Sequence, residues 1–327
     1  MGARSRNPEA VARLIREAET IAVVSHISPD GDTLGSATAM RLALLKLGKK
    51  VSLFCDGKVP DQLDFLPGIG EMREPAGDEG PFDLLLSVDV SDEKRMGKCA
   101  ALKEKSARTA QIDHHPTNPL FMEVNSVDGE AAATCLLIRE QIAALGVELD
   151  KDMAVCLYTG ISTDTGNFAF SCTDAECFSV MQELMGLDLD LAELNRILFR
   201  DRAMPQVKLI GKALNSIQYF ENGQIAVIRL TKQDFIDCGA GAEHADTIVN
   251  FGLDTVGTRM ALMARETLND DGSIKFSLRA KEPDVVSDVA QAFGGGGHPQ
   301  AAGITMNGEL DETASRVLDA MIRKLNG

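Results

Sequence analysis

"FDLLLSVDV", residues 82–90, is an almost unbroken apolar run that ends in an aspartate. A strand of that kind offers apolar side chains to both sides, so both faces must be covered, as in a parallel sheet flanked by helices. Three further runs, "TIAVVSH" (20–26), "KVSLFCD" (50–56) and "RTAQIDH" (108–114), have the same character. Helical patterns separate them: "LGSATAMRLALLKLGKK" carries an apolar stripe, and "DEKRMGKCAALKEKS" (92–106) is expected to be a second helix. After Asp128 the pattern stays helical, through "GEAAATCLLIREQIAALG", "DKDMAVCLYTGIST" and "TDAECFSVMQELMG", which ends at Gly186. The expected fold is α/β, with a mainly parallel sheet and flanking helices in the first domain.

Beyond residue 190 the character changes. "LAELNRILFRDR" and "MPQVKLIGKALNS" read as connecting helices, and "SIQYFENGQIAVIRLT" as a hairpin turning at Asn222-Gly223. "TRMALMARET" and "SIKFSLRA" form a second hairpin around "NDDGS", and a glycine run and an amphipathic helix follow. The expected division is a first domain over 1–189, a helical linker over 190–203 and a smaller mixed α/β domain over 204–327.

A net charge of −16 with no basic run removes the many Lys and Arg contacts that duplex DNA or a long single strand requires. Duplex DNA is therefore not an expected partner, whereas a short anionic substrate held by metals and a few cations is. No apolar run is long enough for a membrane helix, and "MGARSRNPEAVARLIREAE" lacks the apolar centre of a secretory leader. The seven scattered cysteines contain no CxxC pair, the pattern of reduced thiols packed in a cytoplasmic protein. The hairpins and exposed helices leave room for a homodimer.

The strand ends carry the chemistry. The first runs into "SHISPDGDTLGS", with His26, Asp30 and Asp32; the third ends at Asp89; the fourth, in "ARTAQIDHHPTNP" (107–119), ends in Asp113, His114 and His115. The helix "CLYTGISTDTGNF" adds Asp164. Taken singly, an Asp after a strand is a common cap or turn residue, and a His there is often merely exposed. In an open parallel sheet, however, these groups gather at the carboxyl ends of the strands, where ligands bind. Gly31 lets the turn present Asp30 and Asp32 at neighbouring positions. Asp89, alone on the middle strand, is the candidate to bridge two metals, and imidazole mixed with carboxylates suits Mn²⁺ or Mg²⁺.

"SHISPDGDTLGS", "SVDVSD", "IDHH" and "YTGISTDTGNF" together resemble the four motifs of the DHH phosphoesterase superfamily. "FGGGGHPQAAG" resembles the glycine-histidine signature of its DHHA1 substrate-binding domain, so the resemblance spans almost the whole chain. In size it looks most like the stand-alone nanoRNase/pAp phosphatases and dinucleotide phosphodiesterases. The resemblance implies one metal on His26, Asp30 and Asp89, and a second on Asp32, Asp89, His114 and Asp164. It further implies that His115 faces the scissile phosphate and that Asp113 orients a neighbouring ligand.

In the second domain, the glycines before His298 are either a flexible loop or a place where backbone N–H groups approach a phosphate closely. The resemblance favours substrate binding by Gly295, Gly296, Gly297 and His298, with Arg279 of "FSLRA" as the cationic partner; a solvent-facing arginine is the competing account. His244 reads as a surface or capping residue. The expected activity is Mn²⁺-dependent hydrolysis, by a two-metal site, of short oligoribonucleotides and dinucleotides such as pGpG and pApA to nucleoside 5′-monophosphates, together with that of 3′-phosphoadenosine 5′-phosphate (pAp) to AMP. The competitors are inorganic pyrophosphatase or exopolyphosphatase chemistry, and a dinucleotide sensor that does not cleave.

Overall fold

The computed structural model describes residues 5–269 and 271–326, which fall into two compact units, one up to Asp201 and one from Arg202. The first unit runs α1 (Pro8–Glu17), β1 (Thr20–Val24), α2 (Gly31–Lys46), β2 (Lys50–Phe54), β3 (Met72–Arg73), β4 (Phe82–Val88), β5 (Ser106–Asp113), β6 (Val124–Val127), α3 (Thr134–Ala144), α4 (Lys151–Asp164), α5 (Ala175–Met185) and α6 (Leu191–Asn195). All six strands are parallel, in the order β3-β2-β1-β4-β5-β6.

The apolar run of β4 is explained by its two covered faces. Leu84, Leu86 and Val88 enter a core with α1 to α4, while Leu85 packs on the other side with Met96, Cys99 and Leu102. Burying each such leucine contributes about 2 kcal/mol. Helix starts are marked by side-chain caps: Asn7 before Pro8 in α1, Asp30 in α2 and Asp150 in α4.

Two stretches depart from the expected helices. Residues 93–103 form 3₁₀ turns that break at Gly97, where φ is 56° and ψ −136°. A Cβ there would collide with Asp56 and Ile27, so the backbone closes on the neighbouring loop instead of continuing a helix. The helix expected from residue 129 begins at Thr134, because the preceding residues form a turn whose Ala131 carbonyl accepts from His114. Leu194 and Leu198, within the expected linker, are buried in the first unit's core.

The second unit comprises α7 (Met204–Ser216), β7 (Gln218–Phe220), β8 (Ile225–Leu230), α8 (Lys232–Cys238), α9 (Val249–Leu253), β9 (Met260–Glu266), β10 (Ser273–Ala280), α10 (Ser287–Ala292), β11 (Gly296–His298), β12 (Ala301–Asn307) and α11 (Leu310–Asn326). Its sheet has the order β11-β12-β10-β9-β8-β7, with only β8 and β9 parallel. The first hairpin turns through Asn222 and Gly223, both at positive φ. One face packs on α10 and α11; the other, over β8 and β9, on α7, α8 and α9. The glycine run is partly strand rather than loop, since Gly296 to His298 pair with β12. Among the described residues, no helix is long and apolar enough to cross a membrane.

Candidate metal centre

The strand order reverses between β1 and β4. Connections leaving the carboxyl ends of these neighbours diverge, and such a switch point leaves a crevice for a ligand. Asp89 follows β4 there with φ at 58°, a left-handed conformation that costs a non-glycine residue on the order of 1 kcal/mol. Its amide donates to the Ile112 carbonyl (2.9 Å), which anchors the turn to β5. The residue is 2% exposed and its side chain divides its oxygens: Oδ2 lies 3.4 Å from His26 Nε2, and Oδ1 lies 3.6 Å from His114 Nε2.

His26 Nε2 is also 3.5 Å from Asp30 Oδ2, and His114 Nε2 is 3.3 Å from Asp164 Oδ2 and 3.9 Å from Asp32 Oδ2. The structure thus gathers His26, Asp30 and Asp89 into one candidate ligand group and Asp32, His114 and Asp164 into another; Asp89, His114 and His115 form a third. Both ligand imidazoles have Nδ1 against a backbone carbonyl, His26 on Ile27 (2.7 Å) and His114 on Ala131 (3.1 Å). A carbonyl only accepts, so Nδ1 carries the hydrogen and Nε2 is turned to the carboxylates.

Helix packing brings the last pair together. A Cβ at Gly31 would strike Thr163, one at Gly35 the Cys156 carbonyl, and one at Gly160 both Cys135 Sγ and Asp32 Oδ1. These glycines let α2 approach α4 closely, so that the first turn of one meets the last turn of the other. Gly31 opens α2, and its lack of a Cβ serves this contact rather than a flexible turn.

The electrostatics call for cations. Burial pushes the Asp32 carboxyl up to about 7 and that of Asp164 up to about 10, with the negative charge of Asp89 adding to both. Burial works against a charged His26, but Asp30 and Asp89 outweigh it and raise the imidazole to about 10. Burial would also raise Asp89, yet the imidazoles of His26, His114 and His115 hold it down at about 2. Protons here occupy the place that divalent cations fill in such a donor set. The donors are carboxylates and imidazoles; the nearby Cys135 thiol is pushed well up by burial and is no thiolate donor. The residues therefore fit hard divalent cations.

Several supporting residues left no mark in the sequence. Thr134 Oγ1 donates to Asp89 Oδ1 (2.8 Å), and the amides of Thr134 and Cys135 donate to the two oxygens of Asp32 (2.6 and 2.9 Å). Asp113 is fully buried and accepts from His115 Nδ1 (2.8 Å) and from Asn118 Nδ2 (2.6 Å). Asn118 stands in the loop after the histidines, where its type alone reads as a turn former.

In the second unit, His298 and Arg279 are both register partners of Ala301, on the sheet face opposite α10 and α11. Gly295 and Gly297 are required by the close approach of residues 301–303, whereas a Cβ at Gly296 would meet nothing within 4 Å. His244 Nδ1 accepts from the Gly241 amide (2.8 Å), a capping contact.

The model of the DHH family N-terminal domain matches residues 20–161, and that of the DHHA1 domain matches residues 222–326. The bifunctional oligoribonuclease and PAP phosphatase NrnA of Thermus thermophilus is 33% identical over 318 residues, covering 96% of this chain and 93% of that one. Its namesake in Bacillus subtilis is 27% identical, covering 90% of this chain and 91% of its own. The crystal structure of an exopolyphosphatase-related protein from Bacteroides fragilis superposes with a TM-score of 0.90 at 25% identity, over 97% of this chain and 95% of that one. The chain belongs to the DHH phosphoesterase superfamily, its DHH domain followed by a DHHA1 domain.

Proposed function

We propose that this protein hydrolyses the bond between phosphorus and a 3′-oxygen in short oligoribonucleotides, in dinucleotides such as pGpG and pApA, and in pAp. Water adds to phosphorus and the 3′-oxygen leaves with a proton. A dinucleotide then gives two nucleoside 5′-monophosphates, and pAp gives AMP and phosphate, so one site serves both substrates. The observation that carries this is Asp89, with one carboxylate oxygen towards each ligand group. His26, Asp30 and Asp89 would hold one Mn²⁺, and Asp32, Asp89, His114 and Asp164 a second, with Mg²⁺ as the alternative ion. Bound there, the ions lower the pKa of a coordinated water and neutralise phosphoryl oxygens. His115, fixed through Nδ1 by Asp113, offers its other nitrogen to the scissile phosphate as charge develops. Arg279, His298 and the glycines Gly295 to Gly297 take a substrate phosphate. The similarity to enzymes named oligoribonuclease and PAP phosphatase supports this choice of substrates.

The test is hydrolysis with Mn²⁺ of pAp, pGpG, pApA, RNAs of two to five nucleotides, cyclic di-AMP, pyrophosphate and polyphosphate, with Asp89→Ala as the blank. Turnover of RNAs or pAp that vanishes in the blank supports the proposal. Turnover of pyrophosphate or polyphosphate alone would overturn the substrate class. Binding of dinucleotides without turnover would make the protein a sensor.

A further inference from the structure

Register places three rows of side chains across one face of the second unit's sheet. The first row is His298–Ala301–Arg279–Ala261, the second Gly296–Gly303–Ser277–Met263, and the third Thr305–Lys275–Arg265–Leu230. Ala261, Met263 and the residues of β8 are covered by α7 to α9, but Gly296, Gly303, Thr305 and Lys275 are exposed, so this half of the face is open. Arg265 stands at the border, its guanidinium 6.0 Å from the Phe235 ring centroid.

Arg265 is only 8% exposed, yet among the described residues no ion pair or hydrogen bond reaches its guanidinium. A cation so nearly buried and without a hydrogen-bonding partner is uncommon, and in a chain with a net charge of −16 carboxylates are not scarce. Asp246 and Glu243 lie within electrostatic reach but outside ion-pair distance. Lys275, opposite Arg265, makes no ion pair or hydrogen bond among the described residues, and Asp246 lies within electrostatic reach of it as well. Between this row and that of Arg279 lies a floor without bulk. Gly296 and Gly303 face each other in register, and a Cβ on either would meet no close neighbour.

We propose that Arg265 and Lys275, with the Thr305 hydroxyl, form a second phosphate-binding position, and that the glycine floor seats the nucleoside joining it to the first. This rests on the phosphate role given above to Arg279 and His298. Arg279 and Lys275 are four residues apart on one strand, about 13 Å at the rise of an extended chain. The long Arg and Lys side chains can close that separation to the span of one nucleotide, so the second position is reached by the next phosphate of a short RNA. Guanidinium and ammonium groups hold a phosphate by charge-assisted hydrogen bonds, without regard to base.

The experiment measures KM with Mn²⁺ for 5′-phosphorylated RNAs of two, three and four nucleotides, using wild type, Lys275→Ala, Lys275→Arg and Arg265→Met. Wild-type KM is expected to fall when the third nucleotide is added. Lys275→Ala and Arg265→Met should raise KM for the trinucleotide about fivefold or more with kcat little changed, and Lys275→Arg should restore it. The salt dependence of log KM should drop by about 0.7 per lost phosphate contact. A KM profile over chain length that the variants share with wild type would overturn the proposal. So would normal kinetics in Lys275→Ala beside a lowered melting temperature in Arg265→Met, which would leave Arg265 a packing residue. If wild type cleaves none of these RNAs, the proposed activity fails, and calorimetric binding of the same RNAs decides the position separately. Binding weakened in Lys275→Ala supports it, and equal binding refutes it.

Discussion

Thr134 Oγ1 donates a 2.8 Å hydrogen bond to Asp89 Oδ1, fixing a carboxylate whose own backbone is left-handed. The amide of the same threonine donates to Asp32 Oδ2 at 2.6 Å. One residue at the start of α3 thus orients two carboxylates that arrive from β4 and α2.

Partners of metal ligands typically change affinity by about 10- to 100-fold. Thr134→Val, which keeps the shape and removes the hydroxyl, should weaken Mn²⁺ binding by about tenfold or more. Thr134→Ser should retain most of it. Calorimetric titration of both variants with Mn²⁺ checks this; equal affinities would make the hydroxyl a mere filler.

Gly160 sits where a Cβ would fall 2.5 Å from Asp32 Oδ1. Gly160→Ala should cost about 2 kcal/mol of stability through overpacking, and should weaken metal binding as Asp32 is displaced. Gly211, in α7, has open space at its Cβ and no positive φ, so Gly211→Ala should instead stabilise by about 0.5 kcal/mol. Denaturant melts of the two variants should move in opposite directions.

Metal binding should depend on pH in a direction set by the raised groups. Asp32 and Asp164 are raised chiefly by burial, whereas His26 and His114 are raised by nearby carboxylates against the opposing effect of burial. Each upward shift favours a proton that an incoming cation must displace, so affinity falls as pH falls. Between pH 8 and pH 6 the loss should be about tenfold per unit for each proton released. Titrations in buffers of different ionisation enthalpy count those protons directly. A flat affinity with no proton release would contradict the assignment.

Asp150 caps α4 by accepting from the Met153 amide at 3.0 Å and pairs with Lys46 at 2.8 Å. Burial would raise its carboxyl, but these two contacts outweigh it and hold it below the usual range. A depressed carboxylate stabilises the fold above its unfolded pKa, and that contribution disappears as pH falls through the folded value. Asp150→Ala should therefore lower stability by about 1 kcal/mol at pH 7 and make little difference at pH 2. Urea denaturation at the two pH values tests the sign.

The long buried strands were legible because a strand covered on both faces must be apolar throughout, as in β4. Short elements were not. β6 is "VNSV" and β3 has two residues, and their pairing depends on a neighbouring edge rather than on their own pattern. The residues 93–103 have helical composition, but Gly97 is bound to its conformation by Asp56 and Ile27, which lie elsewhere in the chain.

Sequence alone determined which residue types end the strands, and hence that carboxylates and imidazoles would meet at one edge of a parallel sheet. That information is local: a period, an apolar run and the residue after it. Only the tertiary structure decided how they meet. The close approach of α2 and α4, the left-handed turn at Asp89 and the reach of Thr134 each depend on backbone from distant parts of the chain. The same holds for the cationic row of the second sheet. Lys275 and Arg265 are unremarkable as letters, and strand register makes them neighbours, because pairing partners are chosen by the fold and not by sequence spacing.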